Sequence, residues 1–178
     1  TVTTVTSTDV DASATATYTI SGTDADDFTI DPSSGVLTFS STPNFELATD
    51  SNGDNVYTVI VTVTDNGSLT DTQTITVTVT DVNEAPVITS NSGGGTASIS
   101  YAENSTSTVT TVTSTDGDGS STATYTIIGG TDASLFNLVS GNGVLTFNTT
   151  PDFESPHDSN TNNVYVVEVQ VSDGTNLD

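Results

Sequence analysis

The sequence contains no lysine and no arginine. Its 178 residues carry 23 Asp plus Glu and one His, a formal net charge of −23. Phosphate-bearing partners are recognised by Lys and Arg, so nucleic acid and anionic membrane surfaces are excluded as partners. No carboxylate can form an ion pair with Lys or Arg in its own chain. Each must stay solvated, accept hydrogen bonds, or bind a metal cation. Cysteine is absent, which excludes disulfides and thiolate chemistry. Tryptophan is absent and aromatics make up only 6% of the chain, leaving little to build a sugar-stacking platform. No apolar run approaches the ~18 residues of a membrane span, and no signal-peptide pattern is present, so direct membrane insertion is not expected.

Ser and Thr together make up roughly a third of the residues, and hydrophobic content is only 32%. Low hydrophobicity with high net charge is a composition of disordered chains. Here the apolar residues are patterned, and the pattern argues for folding. Tyr57, Val59, Val61 and Val63 alternate with polar or outward positions, as do Ile75, Val77 and Val79, and again Tyr165, Val167, Val169 and Val171. A period of two in Val, Ile, Thr and Tyr, broken by Gly, Asn, Asp and Ser clusters, predicts β-strands. The Thr-rich outer faces suit solvent and also offer O-glycan acceptors. No segment has helical periodicity.

The chain repeats itself. "TVTTVTSTD" at 1–9 returns unchanged at 108–116, "SGVLTFSSTPNFE" at 34–46 returns as "NGVLTFNTTPDFE" at 142–154, and "DSNGDNVYTVIVTVTDNG" at 50–67 returns as "DSNTNNVYVVEVQVSDG" at 158–174. The spacing of about 107 residues is that of a domain rather than of a solenoid repeat. Several short strands in each copy predict an all-β fold of two tandem Greek-key sandwich modules, 1–84 and 85–178, with a linker at 81–86. The first copy begins where the second has already passed "ISYAENSTS", and the second stops where the first continues into "TQTITVTVTDVNEAP". The first module is therefore expected to lack its first strand and the second its last. Two explanations follow: a piece of a longer array, or a filament subunit whose missing edge a neighbouring chain supplies by strand exchange.

Acidic residues gather at the strand ends: Asp9, Asp11, Glu46, Asp65, Asp81 and Glu84 in and after the first copy, with Asn83 in the linker, and Glu103, Asp116, Asp118, Asp152, Glu154 and Asp173 in the second. Carboxylates two residues apart on a turn can face one ion while the intervening carbonyl adds another oxygen. Hard cations such as Ca²⁺ take six to eight such oxygens. The plainer reading is that these residues end strands in solvated turns.

At these motifs the sequence resembles the cadherin family in its bacterial cadherin-like form. The motifs are "YAEN", the Asp-x-Asp after the second strand, "YTI", "SGVLTF", "PNFE" and "PDFE", "VTDNG" and "VSDG", and the linker "DVNEAP". The resemblance implies an extracellular or cell-surface adhesin or fibre segment, not an enzyme, with Ca²⁺ at the junctions between modules. By position it implies an internal junction formed by Glu46, Asp81, Asn83, Glu84, Asp116, Asp118 and Asp173. Asp9, Asp11 and Asp65 would serve a preceding junction, and Glu103, Asp152 and Glu154 a following one. The implied partners are neighbouring cadherin-like modules, with a cell-surface or glycan partner as a further candidate. Two departures bear on this. Asn44 stands where the family motif has Asp, and the linker is one residue shorter than the family's, so fewer than three ions at this junction are expected.

"DSNGDN" at 50–55 has the look of a calcium loop, but an EF-hand needs Gly where Asn55 stands and Glu where Val61 stands. An Asx-rich turn is the better reading, with a weak peripheral ion site as the other. Asn66, Asn104 and Asn148 open Asn-x-Ser/Thr sequons, candidate glycosylation sites in a secreted glycoprotein. The one histidine, His157, falls in a polar loop. The acids lie at repeat-equivalent strand ends rather than as a pair in one cleft, so glycosidase chemistry is not expected.

Overall fold

A computed structural model describes residues 1–10, 15–119 and 122–178. The expected Asp11 ligand lies outside the described residues. The chain divides into two compact units, Thr1–Val82 and Asn83–Asp178. Among the described residues there is no α-helix. Regular structure is antiparallel strand with short 3₁₀ turns.

The first unit holds β1 (Thr3–Thr4), β2 (Thr17–Ser21), β3 (Phe28–Ile30), β4 (Val36–Phe39), β5 (Val56–Thr64) and β6 (Thr70–Thr78). They form two sheets, in the orders β1-β4-β3 and β2-β5-β6. The alternation read from the sequence sets the inward face. Tyr57, Val59 and Val61 on β5 are buried, and Leu37 of β4 and Phe28 of β3 complete the core. Phe28 stacks on Phe39 at a centroid distance of 4.6 Å, and Tyr57 meets Phe39 edge-on at 5.2 Å, joining the sheets through an aromatic trio.

The second unit holds β7 (Val87–Ile88), β8 (Thr110–Thr111), β9 (Ser114–Thr115), β10 (Thr124–Gly129), β11 (Phe136–Leu138), β12 (Val144–Phe147) and β13 (Glu168–Ser172). Its sheets are β11-β12-β8, β10-β13 and β7-β9. The aromatic trio returns as Phe136, Phe147 and Tyr165, at 4.5 and 5.0 Å. A second contact also repeats. The Tyr18 hydroxyl lies 2.9 Å from Ser7 Oγ, and that of Tyr125 lies 2.9 Å from Ser114 Oγ.

The copies differ where the sequence predicted equal strands. β5 runs nine residues and pairs with β6 along its whole length. β13 covers only Glu168–Ser172, and Tyr165 and Val167 precede it without strand pairing. Pairing with β6 along one edge, from Val56↔Thr78 to Ile60↔Thr74, holds Val56–Ile60 extended. Among the described residues no strand pairs with 164–167, and Val164 and Val166 are 57% and 46% exposed. Val36 and Thr4 pair across β1 and β4, as their counterparts Val144 and Thr111 do across β12 and β8.

Candidate functional site

The acidic site in the second unit is built from its linker and two turns. Asp116 and Asp118 follow β9. The Asp118 N–H donates to Asp116 Oδ1 at 3.1 Å, a local Asx bond that turns both carboxylates to one side. Asp173 follows β13. Carboxylate oxygens of Asp116, Asp118 and Asp173, all half-buried, lie within 4.8 Å of one another.

The linker closes over this trio. The Glu84 N–H donates to Asp118 Oδ2 at 3.0 Å, the Asn83 side-chain amide donates to Asp173 Oδ2 at 2.6 Å, and the Asn176 amide returns to the Asn83 carbonyl at 2.9 Å. Gly117 lies under the Glu84 carboxylate, since a Cβ there would meet Glu84 Oε2 at 3.1 Å. These bonds tie Asn83 and Glu84 to the second unit. The Asn83 amide, aided by the N–H groups of Asn176 and Thr175, holds the Asp173 carboxyl below its ordinary range. Among the described residues, Asp118 Oδ1 is buried and receives no hydrogen bond. Three carboxylates with a buried, orphaned oxygen, in a chain without Lys or Arg, form an oxygen-only donor set that fits a hard divalent cation.

Glu103, Asp152 and Glu154 form a second cluster within 4.8 Å. The Phe153 N–H donates to Glu103 Oε2 at 3.0 Å and the Glu154 N–H to Asp152 Oδ1 at 3.0 Å. The negative charge of Glu103 pushes the Glu154 carboxyl above its ordinary range. In the first unit Asn44 Oδ1 accepts the Glu46 N–H at 2.9 Å, so Asn44 keeps the turn that Asp152 makes while removing its charge. Glu46 and Asp81 have carboxylate oxygens within 4.8 Å of each other, both exposed.

The remaining expected ligands are less convergent. Asp65 Oδ1 accepts the Leu69 N–H at 2.7 Å and closes the β5–β6 turn, while Asp9 sits in an exposed loop. Among the described residues, no group of three acids contains either of them. The loop at 50–55 is a turn. Asp50 accepts the N–H groups of Asp54 and Asn55 at 3.0 Å each, and Asp158 accepts that of Asn162 at 2.8 Å. These carboxylates face donors, as an anion would, rather than a cation. His157 is exposed. The sequon residues Asn66, Asn104 and Asn148 are all exposed, and the Asn148 side-chain amide donates to the carbonyls of Ser134 and Phe136 at 2.9 and 3.2 Å.

Sequence reasoning passed over Asp24 and Asp132, which are nearly fully buried. Asp24 accepts the N–H groups of Ser51 at 2.8 Å and Thr58 at 2.7 Å, and Asp132 those of Ser159 at 2.7 Å and Val166 at 2.8 Å. The backbone donors lower both carboxyls, Thr58 first for Asp24 and Val166 first for Asp132. The signal was the repeated "GTDA" at 22–25 and 130–133, equal in both copies where neighbouring residues differ.

Comparison with known proteins fits this geometry. Residues 1–80 match the model of the Cadherin domain. Among curated proteins none matches the sequence. The fold is similar to human protocadherin-24 EC1-2 (21% identity, TM-score 0.53, 88% of this chain and 70% of that one). It is also similar to human CDH23 EC21-23 (24%, 0.58, 98% and 62%) and to Drosophila N-cadherin EC1-4 (25%, 0.53, 90% and 37%). Residues 1–80 thus match the Cadherin domain, and the chain as a whole has the all-β fold of cadherin repeats.

Proposed function

We propose that this chain is a segment of an extracellular or cell-surface adhesin or fibre whose repeat junctions are stiffened by Ca²⁺. The observation that carries the reading is Asp118 Oδ1, buried and unpartnered in a trio of carboxylates. Asp116, Asp118 and Asp173 would hold the ion, with Glu84 beside them and Asn83 bracing Asp173. Glu46 and Asp81 are the residues the first unit would add. The ion supplies positive charge where the chain itself has none. Without it, like charges oppose close approach of the linker and the turns. With it, those segments share one counter-charge and lose freedom to move. Glu103, Asp152 and Glu154 would serve a following repeat in the same way, and Asp9, Asp11 and Asp65 a preceding one. The partners of such a segment are neighbouring cadherin-like modules.

Calorimetric titration tests this directly. Ca²⁺ is expected to bind with at least tenfold preference over Mg²⁺, whose smaller octahedral shell suits a flexible carboxylate turn less well. Asp118→Asn is expected to weaken the tightest site by at least tenfold. No heat of Ca²⁺ binding, or an Asp118→Asn titration identical to wild type, would reduce these carboxylates to solvated strand ends.

A further inference from the structure

Asn-Gly pairs occur at 52–53, 66–67 and 142–143. In such a pair the Gly backbone nitrogen can reach the side-chain carbonyl carbon of Asn, because no Cβ obstructs the approach. Intrinsic reactivity is alike at the three pairs, so the fold decides which of them reacts. Two are held. The Asn52 side-chain amide donates to Asp54 Oδ2 at 3.0 Å, Asn52 Oδ1 accepts the Asp54 N–H at 3.3 Å, and the Gly53 N–H donates to the Asp50 carbonyl at 3.3 Å. Asn142 Oδ1 accepts the Val144 N–H at 3.2 Å. Gly143 is buried, and its N–H donates to the Val139 carbonyl at 2.9 Å. Asn66 and Gly67 differ on every count. They form the tip of the β5–β6 hairpin, and both are exposed. Among the described residues, neither the Asn66 side chain nor the Gly67 N–H has a hydrogen-bond partner. A held pair must open locally before it reacts, whereas this one is ready as it stands.

We propose that Asn66 is a site of spontaneous modification, where the hairpin tip converts asparagine to aspartate and isoaspartate. The Gly67 nitrogen gives up its proton and bonds to Asn66 Cγ. The Cγ–Nδ2 bond breaks, and ammonia leaves with that proton. Water then opens the cyclic imide at Cγ, giving aspartate at position 66, or at the backbone carbonyl, giving isoaspartate. Either product adds a negative charge beside Asp65 and removes the amide of the Asn66 sequon. Isoaspartate also lengthens the main chain by one carbon inside a tight turn. That turn is closed by the Asp65 N–H on the Leu69 carbonyl at 3.0 Å, the Ser68 N–H on the Asp65 carbonyl at 3.2 Å, and the Leu69 N–H on Asp65 Oδ1 at 2.7 Å. The modification therefore alters the turn that holds Asp65.

The test is peptide mapping of the whole chain, produced in a host without N-glycosylation and held at mildly alkaline pH and body temperature. Pepsin digestion in acid stops the reaction and needs no Lys or Arg. Mass spectrometry with electron-transfer fragmentation then separates aspartate from isoaspartate at each pair. In the folded chain, conversion is expected at least tenfold faster at Asn66 than at Asn52 or Asn142, with isoaspartate among the products. In denaturant the three rates are expected to converge, since the bonds that hold the other two pairs are gone. Equal rates at the three pairs in the folded chain, or no conversion at Asn66, would overturn the proposal. A preference for Asn66 that persists unchanged in denaturant would overturn it too, by assigning the rate to local sequence rather than to the fold.

Discussion

The Asn83 side-chain amide donates to Asp173 Oδ2 at 2.6 Å, linking residues 90 positions apart in sequence. Asn83 is thereby a neutral side-chain donor held against the anionic trio of Asp116, Asp118 and Asp173. Asn83→Asp replaces this bond with a fourth carboxylate. In EDTA the variant is expected to melt several degrees below wild type, because like charges now face each other. In millimolar Ca²⁺ the gap is expected to narrow, since the added carboxylate becomes a further ligand. Melting temperatures measured with and without Ca²⁺ check both parts, and a gap that does not depend on calcium would contradict them.

Asp24→Ala and Asp132→Ala each strip the acceptor from two backbone N–H groups, Ser51 and Thr58 in one unit and Ser159 and Val166 in the other. A buried donor left unsatisfied costs about 1–3 kcal/mol. Each variant is expected to lose at least that much by chemical denaturation, more than Asp65→Ala, whose carboxylate closes a surface turn.

The same two carboxylates set a pH limit. Their folded values lie below the ordinary 3.8, so they contribute stability that is fully present above that value. That contribution is lost as pH falls from there through the lowered folded values. Denaturant midpoints are expected to drop below pH 4, and the drop is expected to shrink in Asp24→Ala. An unchanged acid limb in that variant would show that other carboxylates govern it.

Gly35 and Gly143 have φ of 69° and 68°, and a Cβ on either would strike a backbone carbonyl, that of Val5 or of Val112. Alanine at either position is expected to cost more than 1 kcal/mol, adding backbone strain to the collision. Gly53, also at positive φ but with open space around it, is expected to tolerate alanine with the strain cost alone. Unfolding midpoints of the three variants rank the effect.

The repeat and the period-two runs carried the fold, because a strand buried on one face must alternate. That alternation fixed the inward set on β5, from Tyr57 to Val61. It failed for Tyr165 and Val167, because strand length depends on a pairing partner as well as on the strand's own residues. The acidic clusters were legible from spacing and motif, and the structure brings Asp116, Asp118 and Asp173 together, as it does Glu103, Asp152 and Glu154. Asp24 and Asp132 were not legible as buried acceptors. Their donors lie 27 and 34 residues away, and local spacing says nothing of bonds formed only by tertiary folding. Asn148 shows the reverse: a sequon marks an amide that the fold has already engaged.

Small-angle scattering during a calcium titration bears most directly on the stiffened-segment account, comparing wild type with Asp81→Ala plus Glu84→Ala. The account predicts that Ca²⁺ converts the scattering of a flexible two-unit chain into that of one extended shape, while the double variant stays flexible at every concentration. A wild-type profile that does not change with calcium would contradict it.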